Sequence, residues 1–139
     1  MDLCQHEGAE TEPTTVRVVL VDDLPVMRRM WRRMIGSETT YKVVGEAADG
    51  EEALRSCLAL RPDVLVTDLA MPKLDGEELI HRLRHELPEM VIVLCSSVSE
   101  RALTDTATSL GVAHLRKEDA DQLPVLIANL LAARRRTGQ

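Results

Sequence analysis

Short aliphatic runs alternate with helix-period segments five times between residues 16 and 134, and few architectures accept that rhythm. The runs 16–21, 64–67 and 91–95 are almost continuous Val, Leu and Ile, as strands covered on both faces should be. The runs 41–47 and 112–116 are more mixed, which suits the edges of a sheet. Strand–helix alternation of this kind predicts a parallel sheet with helices on both sides. Placing the aliphatic strands centrally gives the order 2-1-3-4-5, a doubly wound, five-stranded α/β fold of the flavodoxin-like (βα)5 type.

The helical segments are amphipathic. Segment 25–35 sets Val26, Met27, Met30, Trp31, Met34 and Ile35 on one stripe and Arg28, Arg29, Arg32 and Arg33 on the other. The second helix opens at Asp49-Gly50-Glu51-Glu52 and is expected to bury Ala53, Leu54, Cys57 and Leu58. The third opens at Asp75-Gly76-Glu77-Glu78 and is expected to bury Leu79, Ile80, Leu83 and Leu87. Both openings resemble a capping box with Asp as the cap, which assigns Asp75 to helix initiation. A fourth helix is expected over 99–110, with the string Ser97-Val98-Ser99-Glu100 pointing to Ser97 as its cap. The fifth, over 121–134, is apolar around much of its circumference.

With 139 residues the chain can bury one ordinary core, but Trp31 and Tyr41 are its only aromatics, so that core must be aliphatic. Residues 1–15 are acidic and poor in large apolar side chains, and read as a disordered tail before a domain at 16–136, with a short tail at 137–139. A net charge of −6 argues against a broad nucleic-acid or anionic-membrane surface. Cys4, Cys57 and Cys95 lack metal-ligand spacing and suit reduced thiols. Without a membrane-length apolar stretch or signal-peptide pattern, a cytoplasmic protein is expected.

The strand ends carry the chemistry. Asp22 and Asp23 follow the first run, Asp68 the third, Ser96 and Ser97 the fourth, and Lys117 the last. In a parallel sheet these ends lie side by side, where open α/β sheets bind ligands, and the 2-1-3-4-5 order puts the switch point at Asp22, Asp23 and Asp68. Three carboxylates, a hydroxyl and an ammonium in one crevice point to phosphoryl transfer onto a carboxylate, with Asp68 as nucleophile. Three clustered carboxylates repel an incoming phosphoryl group, and Mg²⁺ relieves that repulsion because it accepts carboxylates, water and phosphate oxygens together.

The strings Val-Asp-Asp at 21–23 and Thr-Asp-Leu-Ala-Met-Pro-Lys-Leu-Asp-Gly at 67–76 are followed by a hydroxyl and the late Lys117. In that order and spacing the chain resembles the receiver domains of bacterial two-component response regulators, from about residue 16 to residue 133. Segments 43–54 and 117–119 are most similar to receivers that precede a helix-turn-helix output domain. The resemblance implies phosphorylation of Asp68 by a histidine kinase or histidine phosphotransfer protein. It also implies direct Mg²⁺ coordination by Asp23 and Asp68, a largely water-mediated role for Asp22, and a ligand from the Ala70 main-chain carbonyl. Lys117 would meet the phosphoryl oxygens. Counting back from Gly111 selects Ser96 as the switch hydroxyl, with Cys95 and Ser97 adjacent. The segment 111–117 is one residue shorter than the pattern, His114 stands where many receivers carry Tyr or Phe, and Glu118 replaces the Pro that often follows the lysine. These departures bear on output coupling, not on acceptor chemistry.

Other constellations are weaker. His81 and His85 have helical ligand spacing but no third ligand, and read as a solvated pair. Cys4 and His6 sit in the tail. The four arginines of the first helix read as its solvent face, or as a dock for an acidic partner. The expected function is a phosphoryl-accepting receiver that signals to a downstream protein through the face formed by the fourth helix, fifth strand and fifth helix, as a monomer or homodimer. Competing readings are the receiver portion of a DNA-binding regulator, to which Arg134-Arg135-Arg136 could begin a linker, and a binding module that works without phosphorylation. A nucleotide-binding enzyme is disfavoured, because Asp-Asp-Leu-Pro follows the first strand instead of glycines or hydroxyls.

Overall fold

Five parallel strands in the order β2-β1-β3-β4-β5 form the centre of the molecule. They are β1 (Val16–Val21), β2 (Tyr41–Ala47), β3 (Val64–Thr67), β4 (Val91–Ser96) and β5 (Ala113–Arg116). Between and after them run α1 (Pro25–Gly36), α2 (Gly50–Leu60), α3 (Gly76–Glu86), α4 (Glu100–Leu110) and α5 (Leu123–Thr137). The computed structural model describes residues 15–36 and 40–137. Most of the acidic N-terminal segment, including Cys4 and His6, therefore lies outside the described residues.

The alternation of side chains along each strand divides the core in two. Val19, Val21, Leu65, Ile92 and Leu94 face α2, α3 and α4, where they meet Ala53, Cys57, Leu79, Ile80, Leu83 and Leu103. Val18, Leu20, Val64, Val66 and Val93 face α1 and α5, where they meet Trp31, Ile35, Leu123 and Ile127. Each central strand thus buries both faces, the doubly wound arrangement expected from its composition. On the edge strand β2 the register shifts opposite Val18 and Val19, leaving Val44 as the extra residue of a bulge.

Local chemistry starts and stops the helices. Asp49 and Asp75 cap α2 and α3 by accepting the N–H groups of Glu52 at 2.8 Å and Glu78 at 3.0 Å. The cap of α4 differs from the sequence expectation. β4 continues through Ser96, so the helix cannot begin until Glu100, and Ser99 rather than Ser97 accepts the Ala102 N–H at 3.2 Å. α5 begins at Leu123, two residues later than its pattern suggests, behind a 3-10 turn over Lys117–Gln122. Asp119, at φ −105° and ψ 18°, interrupts the helical run there.

The apolar stripes are wider than the contacts they make. Val26 is 52% exposed and Met30 38%, leaving Trp31 and Ile35 as the fully buried residues of α1. Leu58, expected inside, is 39% exposed on a groove of about 410 Å³ between α2 and α3 that His81 and His85 also line. The arginine stripe is not simply solvated: Arg28 and Arg32 both bind Glu46 on β2, at 2.9 and 2.6 Å.

Candidate functional site

The five sequence-selected side chains sit at the carboxyl ends of β1, β3, β4 and β5, around the point where the chain order reverses between β1 and β3. Asp22, Asp23 and Asp68 converge: one carboxylate oxygen from each lies within 4.8 Å of the other two. Asp22 is fully buried, Asp68 is 6% exposed, and Asp23 faces solvent at the rim. Among the described residues this is the sole cluster of three or more metal-type ligands. Histidines 81 and 85 are both exposed and belong to no such cluster.

Main-chain groups hold the carboxylates in place. The Asp22 N–H donates to the Ala47 carbonyl at 3.1 Å, and its Oδ1 accepts the Leu24 N–H at 2.8 Å, which turns the chain out of β1. The Asp68 N–H donates to the Val21 carbonyl at 3.0 Å, and its Oδ1 accepts the Leu69 N–H at 2.7 Å. The neighbouring Thr67 hydroxyl, fully buried, donates to the Asp68 carbonyl at 2.9 Å. Ala70 lies two residues further along, exposed in the loop that joins β3 to α3.

That loop requires two glycines. A Cβ on Gly76 would stand 2.5 Å from the Asp68 carbonyl oxygen, and one on Gly50 would stand 1.8 Å from that of Leu74. The first turns of α2 and α3 can therefore press against the loop only where the side chain is a hydrogen atom.

Lys117 crosses from the end of β5 to both buried acids. Its Nζ lies 2.7 Å from Asp22 Oδ2 and 3.0 Å from Asp68 Oδ2. Burial alone would pull the ammonium's pKa down, but its close contacts with Asp22 and Asp68 and their charge outweigh that, holding it above the usual lysine value. The contact to Asp68 has hydrogen-bond geometry; the closer contact to Asp22 Oδ2 is an ion pair without it, so that buried oxygen keeps coordinating capacity. Ser96 is buried beside them, and its Oγ accepts only a long 3.4 Å bond from the Val98 N–H. Cys95 is a poor alternative, because burial pushes its thiol up to about 12. Ser97 is exposed. His114 is half-buried between β5 and α4, with Nε2 3.4 Å from the Thr104 hydroxyl.

Residues 18–128 match the response regulator receiver domain. The chain belongs to that family. Receiver domains are signalling modules rather than enzymes in the ordinary sense, and one implies a cognate histidine kinase. The aspartate triad here is typical of a receiver's Mg²⁺ site. Three hard carboxylate oxygens, one of them at the solvent rim where water can complete the shell, suit that ion.

Among solved structures, this receiver is similar to that of NarL from Mycobacterium tuberculosis, with 34% identity and a TM-score of 0.76 over 88% of this chain and 98% of the other. It is also similar to the response regulator domain of CheB from Thermotoga maritima, with 31% identity and a TM-score of 0.70 over 88% and 95%. Among curated proteins, protein-glutamate methylesterase/protein-glutamine glutaminase 3 of Hahella chejuensis is 41% identical over 68% of this chain. The corresponding protein 1 of Syntrophus aciditrophicus is 32% identical over 86%. The matches span only 26% and 32% of those two proteins. No described helix is long and apolar enough to cross a membrane.

Sequence reasoning missed the supporting residues Thr67 and Arg28. Thr67 was hidden inside the acceptor motif. Arg28 and Arg32 carried a signal in their spacing of four, with Glu46 the one acidic residue of the neighbouring strand.

Proposed function

We propose that this receiver accepts a phosphoryl group on Asp68 from the phosphohistidine of a kinase or phosphotransfer protein, and passes the signal through the α4–β5–α5 face to a downstream protein. The observation that carries the reading is the Lys117 ammonium held between two buried carboxylates, 3.0 Å from Asp68 Oδ2, at the mouth of the sheet. In the transfer an Asp68 carboxylate oxygen forms the new P–O bond. The P–N bond to the donor imidazole breaks, its electron pair staying on nitrogen.

Asp22, Asp23 and Asp68, with the Ala70 carbonyl by family resemblance, would hold Mg²⁺. When bound, the ion supplies positive charge that offsets the clustered carboxylates and the phosphoryl oxygens. Lys117 exchanges its bond to Asp68 for one to a phosphoryl oxygen, and the Ser96 hydroxyl donates to another. Catalysis here is positioning and charge compensation. The new group carries a charge of about −1.5 to −2 in place of the single carboxylate charge, and sets it further out, beside Ser96 and Lys117. Ser96 ends β4 just ahead of α4, and Lys117 follows β5, so both pull on the proposed output face. A cytoplasmic setting follows from a kinase partner of this kind.

Intact-protein mass spectrometry after incubation with Mg²⁺ and a small phosphoryl donor tests the reading. One phosphate on the wild type and none on Asp68→Asn is the expected result. An equal adduct on both would overturn it.

A second reading draws on the likeness to NarL and to CheB: the receiver governs an attached output portion, as part of a longer product. The mass of the endogenous protein decides between them.

A further inference from the structure

The main chain of Asp22 is held at both ends, its preceding peptide by β2 and its following peptide by α1. On one side the Asp22 N–H donates to the Ala47 carbonyl at 3.1 Å. On the other, Arg28 Nη1 donates to the Asp22 carbonyl at 2.5 Å. Arg28 cannot swing away, because its Nε donates to Glu46 Oε1 at 2.9 Å. The second oxygen of the same carboxylate accepts Arg32 Nε at 2.7 Å. Glu46 directly precedes Ala47 in β2, so one stretch of strand fixes both peptides that flank Asp22, one directly and one through Arg28.

From this bracket we infer that Arg28 is a positioning residue for the Mg²⁺ site: by gripping the Asp22 carbonyl it sets the peptide plane that aims Asp22 and Asp23 at Asp68. This inference rests on the Mg²⁺-binding reading of the aspartate triad. Arg28 touches neither ion nor phosphoryl group, and acts through the main chain. A guanidinium suits the task because its fixed fork can serve a carbonyl and a carboxylate together, whereas a lysine ammonium is a point charge. Groups that orient metal ligands commonly change affinity when removed even though they never meet the metal.

The sign of the effect separates this role from a purely electrostatic one. Arg28 is a cation beside an acidic site. If it contributed only charge, removing it would deepen the negative potential and tighten Mg²⁺ binding. A positioning role gives the opposite sign. A merely structural role would lower thermal stability and leave the affinity of the folded protein unchanged.

The experiment is a Mg²⁺ titration followed by the amide signals of residues 22–24 in two-dimensional NMR. It compares the wild type with Arg28→Ala, Arg28→Lys, Glu46→Gln and the exposed neighbour Arg29→Ala as a charge control. The expected result is affinity about tenfold weaker in Arg28→Ala. Arg28→Lys and Glu46→Gln should fall between it and the wild type, and Arg29→Ala should match the wild type or bind slightly tighter. Equal or tighter binding by Arg28→Ala would overturn the inference while leaving the Mg²⁺ site standing. A wild type that does not respond to Mg²⁺ would instead overturn the reading on which the inference rests. Should Arg28→Ala fail to fold, Arg28→Lys carries the test, since it keeps the positive charge and loses the fork that serves carbonyl and carboxylate together. Wild-type affinity in that variant would contradict the bracket.

Discussion

Lys117 has two partners and can satisfy only part of each. Its ammonium is the cation that compensates the buried carboxylates of Asp22 and Asp68, so it stabilises the fold while standing in the way of a competing cation. Lys117→Ala should cost about 3 kcal/mol in Mg²⁺-free buffer at neutral pH, because a buried pair broken on one side leaves charge uncompensated. Mg²⁺ should then raise the melting temperature of the variant more than that of the wild type, since binding to the native state alone stabilises it. Unchanged stability without Mg²⁺ would refute the pairing. The pH dependence has a definite sign. The folded ammonium titrates above its ordinary value of 10.5, so its contribution is complete below that pH and is lost only as pH rises through the folded value. No dependence from this group is therefore expected between neutrality and pH 9.

At the scale of elements, the site depends on how closely helices approach loops. Gly76→Ala makes opposite predictions from two principles. Helix propensity alone would favour alanine by about 1 kcal/mol. The Cβ would, however, meet the Asp68 carbonyl oxygen at 2.5 Å, and backbone cannot yield as a side-chain tip can. A net loss of about 2 kcal/mol by urea denaturation is expected, the usual scale for forced overpacking. The bridge from α1 to β2 supplies a second test. Hydrogen bonds and charge from Arg32 and Arg28 outweigh the burial that would raise the Glu46 carboxyl, and hold it below its ordinary value of 4.5. Its contribution is present above 4.5 and is lost as pH falls through the folded value. Glu46→Gln should thus be less stable than the wild type by about 1 kcal/mol at pH 7, a surface-pair magnitude, with the gap closing in acid. A gap that persists in acid, once the carboxyl is protonated, would place the effect elsewhere. Elements are also where sequence reading stopped short. Strand identities, helix spans and the Asp49 and Asp75 caps were legible because each depends on residues a few positions apart. The α4 cap was not, since both Ser97 and Ser99 offer a cap and the end of β4 decides between them. Nor was the pairing of Arg28 and Arg32 with Glu46, which exists only once α1 lies beside β2. The exposure of Val26, Met30 and Leu58 follows from the same cause: periodicity marks a face but not how much of it a neighbour covers.

In the whole molecule the sheet gathers residues from positions 22 to 117 into one crevice and links it to a distant face. The candidate site was legible as a set because every member ends a strand, and parallel strands deliver their carboxyl ends to one side. What periodicity could not supply was depth: Asp22 and Ser96 are buried, Asp23 sits at the rim, and Lys117 bridges two acids rather than one. From the crevice, β4 leads through Ser96 to the Ser99 cap of α4, and β5 carries both His114 and the turn that begins with Lys117. The Thr104–His114 contact joins those two routes. All of this matters to signalling only if the phosphoryl group arrives on Asp68. An acyl phosphate is reduced by borohydride to an alcohol, whereas phosphate on serine, threonine or histidine is not, so the reaction marks its own site. Peptide mass spectrometry of the phosphorylated and reduced protein should find homoserine at position 68 alone, and only when Mg²⁺ was present. Homoserine at position 22 or 23, or a phosphate that survives reduction on another residue, would contradict the account.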